Sequence, residues 1–259
     1  MTDIDAATPN AARMYDYFLG GHHHFAADRE LARKVLEAEP RAPEIAMLNR
    51  AFLGRAVRFM REAGVRQFID LGSGIPIREN VHEIAQRDDA TVRVVYVDKD
   101  PVAVAHGRQI LQGNDATAVI KADFRDPAAV LADPAVRETI DTRQPVGLLM
   151  VAVLHFVPDR EEPAAVVSGF AQAAVPGSYL AMSHGTHDGA TDVAARLAEL
   201  YQGTTSPVTM RTHADVQRLF TGFELVEPGL VWGPLWRPET APPVDPEQSL
   251  IYAGVGRRV

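Results

Sequence analysis

The strongest constraint on the fold is a regular alternation of short β-branched runs with helix-forming stretches, which begins near residue 66. Five strands are predicted, at residues 66–71, 92–98, 117–122, 146–153 and 178–183. Between them, Pro101 and Pro163 can each occupy the first turn of a helix. This alternation is typical of a parallel sheet covered by helices on both faces, so the sequence predicts an α/β fold.

The pattern changes after the fifth run. Two further strands are predicted at residues 224–231 and 249–255, joined by the proline-rich link WRPETAPPVDPEQ. No helix fits in this link, because proline lacks an amide hydrogen and breaks helices. Strands joined without a crossover helix can pair antiparallel, so the sheet is expected to end in an antiparallel pair.

The first 65 residues carry no strand signal. Amphipathic helices are predicted at residues 28–39 and 44–63, whereas the stretch ARMYDYFLGGHHHFAADRE before them is neither a clear helix nor a clear loop. We therefore expect residues 1–65 to form a helical lid or cap that packs on a domain formed by residues 66–259.

Composition excludes several classes of function. With 26 Lys and Arg against 34 Asp and Glu, the net charge of -8 would repel a phosphate backbone, so nucleic acid is not expected as a partner. The chain has no cysteine, which excludes thiolate chemistry and cysteine-based metal sites. No apolar stretch is long enough to span a membrane, and no membrane partner or metal is expected; a cytoplasmic protein is predicted.

The clearest functional motif is QFIDLGSGIPIREN, in which an apolar strand ends at Asp70 and leads into Gly72 and Gly74. Glycines at this position let the backbone turn sharply and approach a ligand closely, which is typical of a nucleotide-cofactor loop. A dinucleotide fingerprint would have a third glycine where Ile77 stands, and the charge of Asp70 would oppose a pyrophosphate. The loop therefore suits a ligand that carries an ammonium group, and an NAD-dependent oxidoreductase is disfavoured.

Two more acidic residues follow at strand ends. Asp98 in VVYVDKDP stands where a carboxylate can accept from both hydroxyls of an adenosine ribose. Asp123 in IKADFRDP can accept from an adenine amine while Phe124 covers the ring. Each acid alone could simply cap the following helix, but three in order at the ends of strands one, two and three indicate an adenosyl cofactor.

These acids match the class I S-adenosylmethionine-dependent methyltransferases, and the sequence resembles a bacterial S-adenosyl methyltransferase family once catalogued as a domain of unknown function. The matching motifs are ARMYDYFLGGHHHFAADRE, FIDLGSGIP, VVYVDKDPVAV, LLMVAVLHFVPD, SYLAMSH and FELVEPGLVWGPLWRP. The resemblance implies a Rossmann-like, seven-stranded sheet with S-adenosyl-L-methionine as cofactor. It places Asp70, Gly72 and Gly74 at the methionine end, Asp98 at the ribose, Asp123 and Phe124 at the adenine, and Arg13, Met14 and Tyr17 in a lid over the cofactor. Lys99, which follows Asp98, and Val153 are further candidates for the cofactor site.

One segment departs from the resemblance. His22, His23 and His24 stand where relatives carry a Lys-Asp-Asn-like run. Three consecutive histidines cannot all face one ligand in a regular element. Surface residues of the lid, a contact with cofactor or substrate, and metal binding remain open for them.

Catalysis needs little from the protein, because the sulfonium methyl group is already electrophilic. A general base is required only if the acceptor is protonated, and His155 and His184, just past predicted strands four and five, are the candidates. Either could instead be a packing residue. We expect a methyltransferase acting on a small-molecule acceptor; the alternative is a non-catalytic protein that binds or senses S-adenosylmethionine. The sequence does not distinguish a monomer from a homodimer.

Overall fold

The computed structural model of the protein describes residues 4–77, 79–241 and 245–259. Its strands are β1 (Gln67–Leu71), β2 (Arg93–Asp98), β3 (Thr117–Lys121), β4 (Gly147–Val151), β5 (Tyr179–Gly185), β6 (Glu224–Leu225), β7 (Val231–Trp232) and β8 (Ile251–Arg257). Its α-helices are α1 (Ala11–Phe18), α2 (Ala26–Ala38), α3 (Ala42–Glu62), α4 (Val81–Ala85), α5 (Pro101–Ile110), α6 (Pro127–Ala132), α7 (Pro134–Thr139), α8 (Pro163–Ala173), α9 (Thr191–Tyr201) and α10 (His213–Arg218).

All the strands belong to one sheet, in the order β3-β2-β1-β4-β5-β8-β6, with β7 also paired to β8. Strands β1 to β5 run parallel, and β8 pairs antiparallel with β5. The α/β fold is thus confirmed, with the expected antiparallel strands at the end of the sheet.

The sheet differs from expectation in its strand number, because the described residues form eight strands rather than seven. The predicted strand at 224–231 is divided by Pro228, which has no amide hydrogen, and by Gly229, whose φ is +88°. Its two ends, β6 and β7, both pair with β8, where Glu224 lies opposite Arg257 and Val231 opposite Ala253. Eight strands therefore occupy seven positions across the sheet.

Alternating side chains of the central strands bury both faces of the sheet. Ile69 and Leu148 pack on one face with Phe170 of α8, whereas Phe68 and Leu149 pack on the other. On this second face α3 supplies a continuous apolar side to the core, formed by Phe52, Leu53, Ala56, Val57 and Met60. The N-terminal segment is thereby built into the main core through α3.

The N-terminal segment contains one helix that the sequence pattern did not resolve. Helix α1 is capped by Asn10, whose side chain accepts from the amide of Ala12 at 2.8 Å, and the helix packs against α2, α3 and α9 in the cluster around Met14. The capping asparagine is a signal that could have located α1, although the helix has only eight residues. Within the described part of the chain, no helix is long and apolar enough to cross a membrane.

Candidate active site

A large cavity lies at the carboxyl ends of the parallel strands, with about 1620 Å³ of empty space that is partly open to solvent. Helices α1, α2, α3 and α9 form its other walls. Eight of the residues predicted from the sequence line this cavity: Asp70, Gly72, Gly74, Asp98, Lys99, Phe124, Val153 and His155. Ligands of open α/β sheets bind at this edge, where the strand order reverses between β1 and β4.

The glycine loop after β1 forms the floor of the cavity. Gly72 and Gly74 have φ values of +71° and +67°, which side-chain-bearing residues rarely adopt. A Cβ atom at Gly72 would lie 2.6 Å from Cγ1 of Val153 and 3.6 Å from Cδ1 of Phe124. Only glycine fits there, because the side chain of Val153 packs directly against the backbone of the loop.

Asp98 ends β2 and is tied to the glycine loop. Its Oδ2 accepts from the amide of Gly74 and its Oδ1 from the amide of Asp100, both at 2.8 Å. Burial raises the pKa of the Asp98 carboxyl, and the two amide bonds oppose that change. Each oxygen has further acceptor capacity, so the carboxylate can bind a ribose diol while it holds the loop in place.

Asp70 is buried at the inner end of the cavity. Burial raises the pKa of its carboxyl to about 7; the guanidinium of Arg50 opposes this rise and the carboxylate of Asp98 adds to it. Arg50 projects from α3 and also lines the cavity. The sequence analysis missed Arg50, because nothing local to the α3 sequence shows that this arginine faces the end of β1.

Asp123 is placed differently from the other two acids, since it does not line the cavity. Its carboxylate accepts from Nε of Arg125 at 2.9 Å, and Arg125 also donates to Glu161 at 2.7 Å. Burial would raise the pKa of Asp123, but the hydrogen bonds from Arg125 prevail and lower it. Phe124 and Arg125 line the cavity at this point, whereas the Asp123 carboxylate is engaged by Arg125.

The lid residues inferred from the resemblance do not line the cavity. Helical periodicity is the reason: the face of α1 that carries Ala11, Tyr15 and Phe18 turns toward the cavity, and Arg13, Met14 and Tyr17 lie on other faces. Arg13 is buried against Asp28 at 3.3 Å and donates to the carbonyl oxygens of Asp5 and Thr8. Met14 packs in the core between α1, α2 and α9, and the Tyr17 ring contacts Phe18 and His24.

A chain of buried hydrogen bonds joins the lid to the sheet. Asn49 of α3 accepts from the hydroxyl of Ser183 at 2.6 Å and donates to the hydroxyl of Tyr15 at 3.0 Å. Tyr15 in turn donates to the carbonyl of Ala46, and Ser183 accepts from the amide of Ala152 at 2.9 Å. Ala152, Asn49 and Tyr15 all line the cavity, so this chain fixes three of its walls relative to one another.

The two candidate bases occupy different environments. His155 lines the cavity, and its Nδ1 accepts from the amide of Gly185 at 3.2 Å. Burial and the charge of Arg211 lower the pKa of His155 to about 3, so the ring is neutral at physiological pH. A neutral ring that accepts at Nδ1 carries its proton on Nε2, which has no partner among the described residues.

His184 is fully buried and does not line the cavity. Its Nδ1 donates to the carbonyl of Gly185 at 2.7 Å, and its Nε2 accepts from Arg211 at 2.8 Å. Arg211 also donates to the carbonyls of Leu154 and Val157 and to Asp159. His184 therefore fixes the arginine that orders the loop carrying His155, and it has no path to an acceptor.

The histidine run at 22–24 lies on the lid, outside the cavity. The ring of His23 stacks at a tilt on that of His106, with centroids 3.7 Å apart, and its Nδ1 is 3.6 Å from Oδ1 of Asp16. His24 contacts the carbonyl of Gly21 at 3.1 Å. Among the described residues, no three histidine or acidic side chains are grouped so that they could hold a metal ion.

The remaining part of the cavity is apolar. It is enclosed by α1, α2, α9 and residues 206–210, and its walls are formed by Phe18, Val35, Phe156, Leu197, Tyr201, Val208, Met210 and Leu250. The lining thus has two groups of residues, a polar floor at the strand ends and an apolar chamber beneath the lid, and His155 lines the same cavity. We name these the cofactor floor and the acceptor chamber.

The strand order, the glycine loop and the acids at the ends of β1 and β2 are those of the class I S-adenosylmethionine-dependent methyltransferase fold. The chain belongs to the S-adenosyl methyltransferase family, whose family model matches residues 1–259. No curated protein matches it.

Three solved structures illustrate the similarity. A candidate methyltransferase from Thermobifida fusca is 41% identical with a TM-score of 0.93, and the match covers 98% of this chain and 96% of that one. A DUF574 family protein from Streptomyces avermitilis is 37% identical with a TM-score of 0.95, covering 99% and 100%. Magnesium protoporphyrin IX methyltransferase from Synechocystis, solved with bound S-adenosylhomocysteine, shares the fold alone, at 14% identity, a TM-score of 0.55 and coverage of 95% and 93%.

Proposed function

We propose that this protein transfers a methyl group from S-adenosylmethionine to a small-molecule acceptor. The observation that carries the proposal is that one cavity is lined both by the cofactor floor and by the acceptor chamber, together with His155. A protein that only sensed the cofactor would need no second, apolar compartment beside it. Nucleic acid and membranes are not proposed as partners, because the chain carries a net charge of -8 and the chamber lies beneath a lid.

The residues of the cofactor floor fit an adenosyl amino acid. The Asp98 carboxylate would accept from the ribose hydroxyls, and Phe124 would cover the adenine. Asp70 would accept from the ammonium group, and Arg50 in the same region would pair with the carboxylate of the methionine part. The side chain of Val153 packs against Gly72, so these two residues would together form one wall of the cofactor site.

The bound cofactor supplies an electrophilic methyl group, so the protein's part is to align the acceptor and exclude water. A chain of hydrogen bonds holds the lid, α3 and the sheet in fixed positions around the reaction site, through Tyr15, Asn49 and Ser183. His155 contacts the acceptor in the same cavity, and His184 with Arg211 positions the loop that carries it. Lys99 and Arg125 lie at the cofactor side of the cavity.

Calorimetric titration with S-adenosylmethionine, S-adenosylhomocysteine and NAD tests the proposal. Binding of both sulfur nucleosides without NAD is expected, and failure to bind either of them would overturn it. The His155→Ala variant separates catalysis from sensing. It is expected to keep cofactor affinity and to slow methyl transfer, and unchanged turnover in this variant would remove His155 from the mechanism.

A further inference from the structure

The acceptor chamber carries an inference about substrate class that rests on the proposed function. Its walls are mainly aliphatic and aromatic, and the rings of Phe156 and Tyr201 lie 6.2 Å apart at an angle of 33°. The Glu39 carboxylate at its edge is already occupied by the amide of Arg41 at 3.0 Å and by the Arg41 guanidinium. A flat, largely apolar ring therefore fits the chamber better than a sugar, a peptide or a polyamine.

The polar groups of the chamber restrict the reacting atom. The Nε2–H of His155 is a fixed donor, because the amide of Gly185 holds Nδ1 as an acceptor. Such a donor matches a nucleophile that carries lone pairs and no proton to lose. An amine with N–H groups would instead need an acceptor at this point.

The charge around His155 favours an anion. The ring of His184 lies 5.6 Å from that of His155, and Arg211, paired with Asp159, is the charged group that acts on it. Tyr201 lines the same cavity, as do Asp70 and Asp98 on the cofactor floor. Arg211 is buried and pairs with Asp159, whose side chain is 81% exposed, so water screens the carboxylate more than it screens the guanidinium. His184 accepts a hydrogen bond from Arg211 and is neutral, because burial lowers the pKa of its ring. Burial also raises the pKa of the Tyr201 hydroxyl, so that this hydroxyl stays protonated and is a second donor.

We propose that the acceptor is a planar hydroxylated aromatic compound that binds in the chamber as its oxyanion, with the oxygen held by Nε2–H of His155. His155 is then a hydrogen-bond donor to the nucleophile rather than a general base. The hydroxyl proton is released to solvent on binding. In the transfer step the phenolate oxygen forms the new O–C bond, the C–S bond breaks with its electron pair passing to sulfur, and no proton moves.

The test uses the full-length protein saturated with S-adenosylhomocysteine and 4-nitrophenol as a probe, since its ionisation is visible by absorbance. Bound 4-nitrophenol is expected to ionise at a pH lower than the free compound by about half a pH unit or more. His155→Leu is expected to abolish this shift, and His155→Gln, which retains an N–H donor, is expected to restore part of it. His22→Leu, on the exposed lid surface, is the matched control and is expected to leave the shift unchanged.

The outcomes separate this inference from the proposed function. If S-adenosylhomocysteine binds but neither 4-nitrophenol nor 7-hydroxycoumarin does, the substrate class is wrong and the methyltransferase proposal stands. If the bound probe ionises at an unchanged or higher pH, or if His155→Leu retains the shift, the oxyanion role of His155 is wrong. If S-adenosylhomocysteine itself does not bind, the proposed function fails, and this inference fails with it.

Discussion

The hydroxyl of Ser183 donates to Oδ1 of Asn49 across 2.6 Å, and this bond joins the end of β5 to the middle of α3. Both residues are buried, and the amide group of Asn49 is satisfied on its other side by Tyr15 of the lid. A buried polar chain of this kind stabilises the fold only while every member keeps its partner. The amide side chain of Asn49 is therefore one of the groups that hold the lid over the cavity.

Replacing Asn49 tests this role. Asn49→Ala leaves the hydroxyls of Tyr15 and Ser183 without their partner, so the free energy of unfolding is expected to fall by about 1–3 kcal/mol. S-adenosylmethionine affinity is also expected to weaken, since the lid loses its bond to the sheet. Tyr17→Phe is the control, because the Tyr17 hydroxyl lies outside the chain and the cavity. Chemical denaturation and calorimetry of both variants give the two quantities; equal effects in the two would contradict the role of Asn49.

Asp98 is expected to be the residue on which cofactor binding depends most. Asp98→Ala removes the ribose acceptor and releases the amide of Gly74, so the affinity for S-adenosylmethionine should fall by about 100-fold or more. Asp126→Ala is a matched control, because Asp126 caps α6 through the amide of Ala129 and lies away from the cavity. It is expected to cost stability without changing the affinity, and an Asp98→Ala protein that binds normally would exclude the ribose role.

The Asp70 carboxyl is expected to make stability depend on pH. The pKa of Asp70 in the folded state, about 7, lies above the unfolded value near 3.8. The protonated carboxyl therefore contributes fully to stability below pH 3.8, and this contribution is lost as pH rises through 7. Asp70→Asn removes this loss. Between pH 5 and pH 8 the unfolding free energy of the variant should gain about 1–3 kcal/mol relative to wild type, as measured by urea denaturation. A constant difference across that range would show that Asp70 does not titrate there.

Cofactor binding should release protons near pH 7 for the same reason. An ammonium group beside Asp70 favours the carboxylate, so binding lowers the pKa of Asp70 and expels its proton. The binding enthalpy should then differ between phosphate and Tris buffers, which differ in ionisation enthalpy. Asp70→Asn serves as the control and should give the same enthalpy in both. Wild-type enthalpies that do not depend on the buffer would place the ammonium elsewhere.

The sequence predicted those features that depend on local pattern. Asp70, Asp98 and the glycine loop follow directly from strands that end in acids, because parallel strands bring their carboxyl ends to one edge. The number of strands was missed by one, since a proline within a short β run divides it without moving it in the sheet.

The features that were missed depend on contacts between distant parts of the chain. The rotation of α1 decides that Tyr15 faces the cavity while Arg13, Met14 and Tyr17 do not, and no periodicity in an eight-residue helix fixes that rotation. Asn49 and Ser183 are 134 positions apart. His184 resembles a catalytic base in sequence, and only the fold shows that Arg211 occupies its free nitrogen.

Arg211 is expected to be the main structural support of the acceptor side. All five of its N–H donors have acceptors, on Leu154, Val157, Asp159 and His184, so Arg211→Met leaves two buried carbonyls and a buried imidazole nitrogen without donors. The unfolding free energy is expected to fall by about 2–4 kcal/mol. Loss of the positive charge should also raise the pKa of His155, which NMR titration of its ring protons would detect.

Arg218→Met is the control, because it removes an exposed arginine that is paired with Asp215. It should lower the free energy of unfolding by about 0.5 kcal/mol or less and leave the His155 titration unchanged. An Arg211→Met protein with wild-type stability and an unshifted His155 would show that the loop holds its shape without the guanidinium.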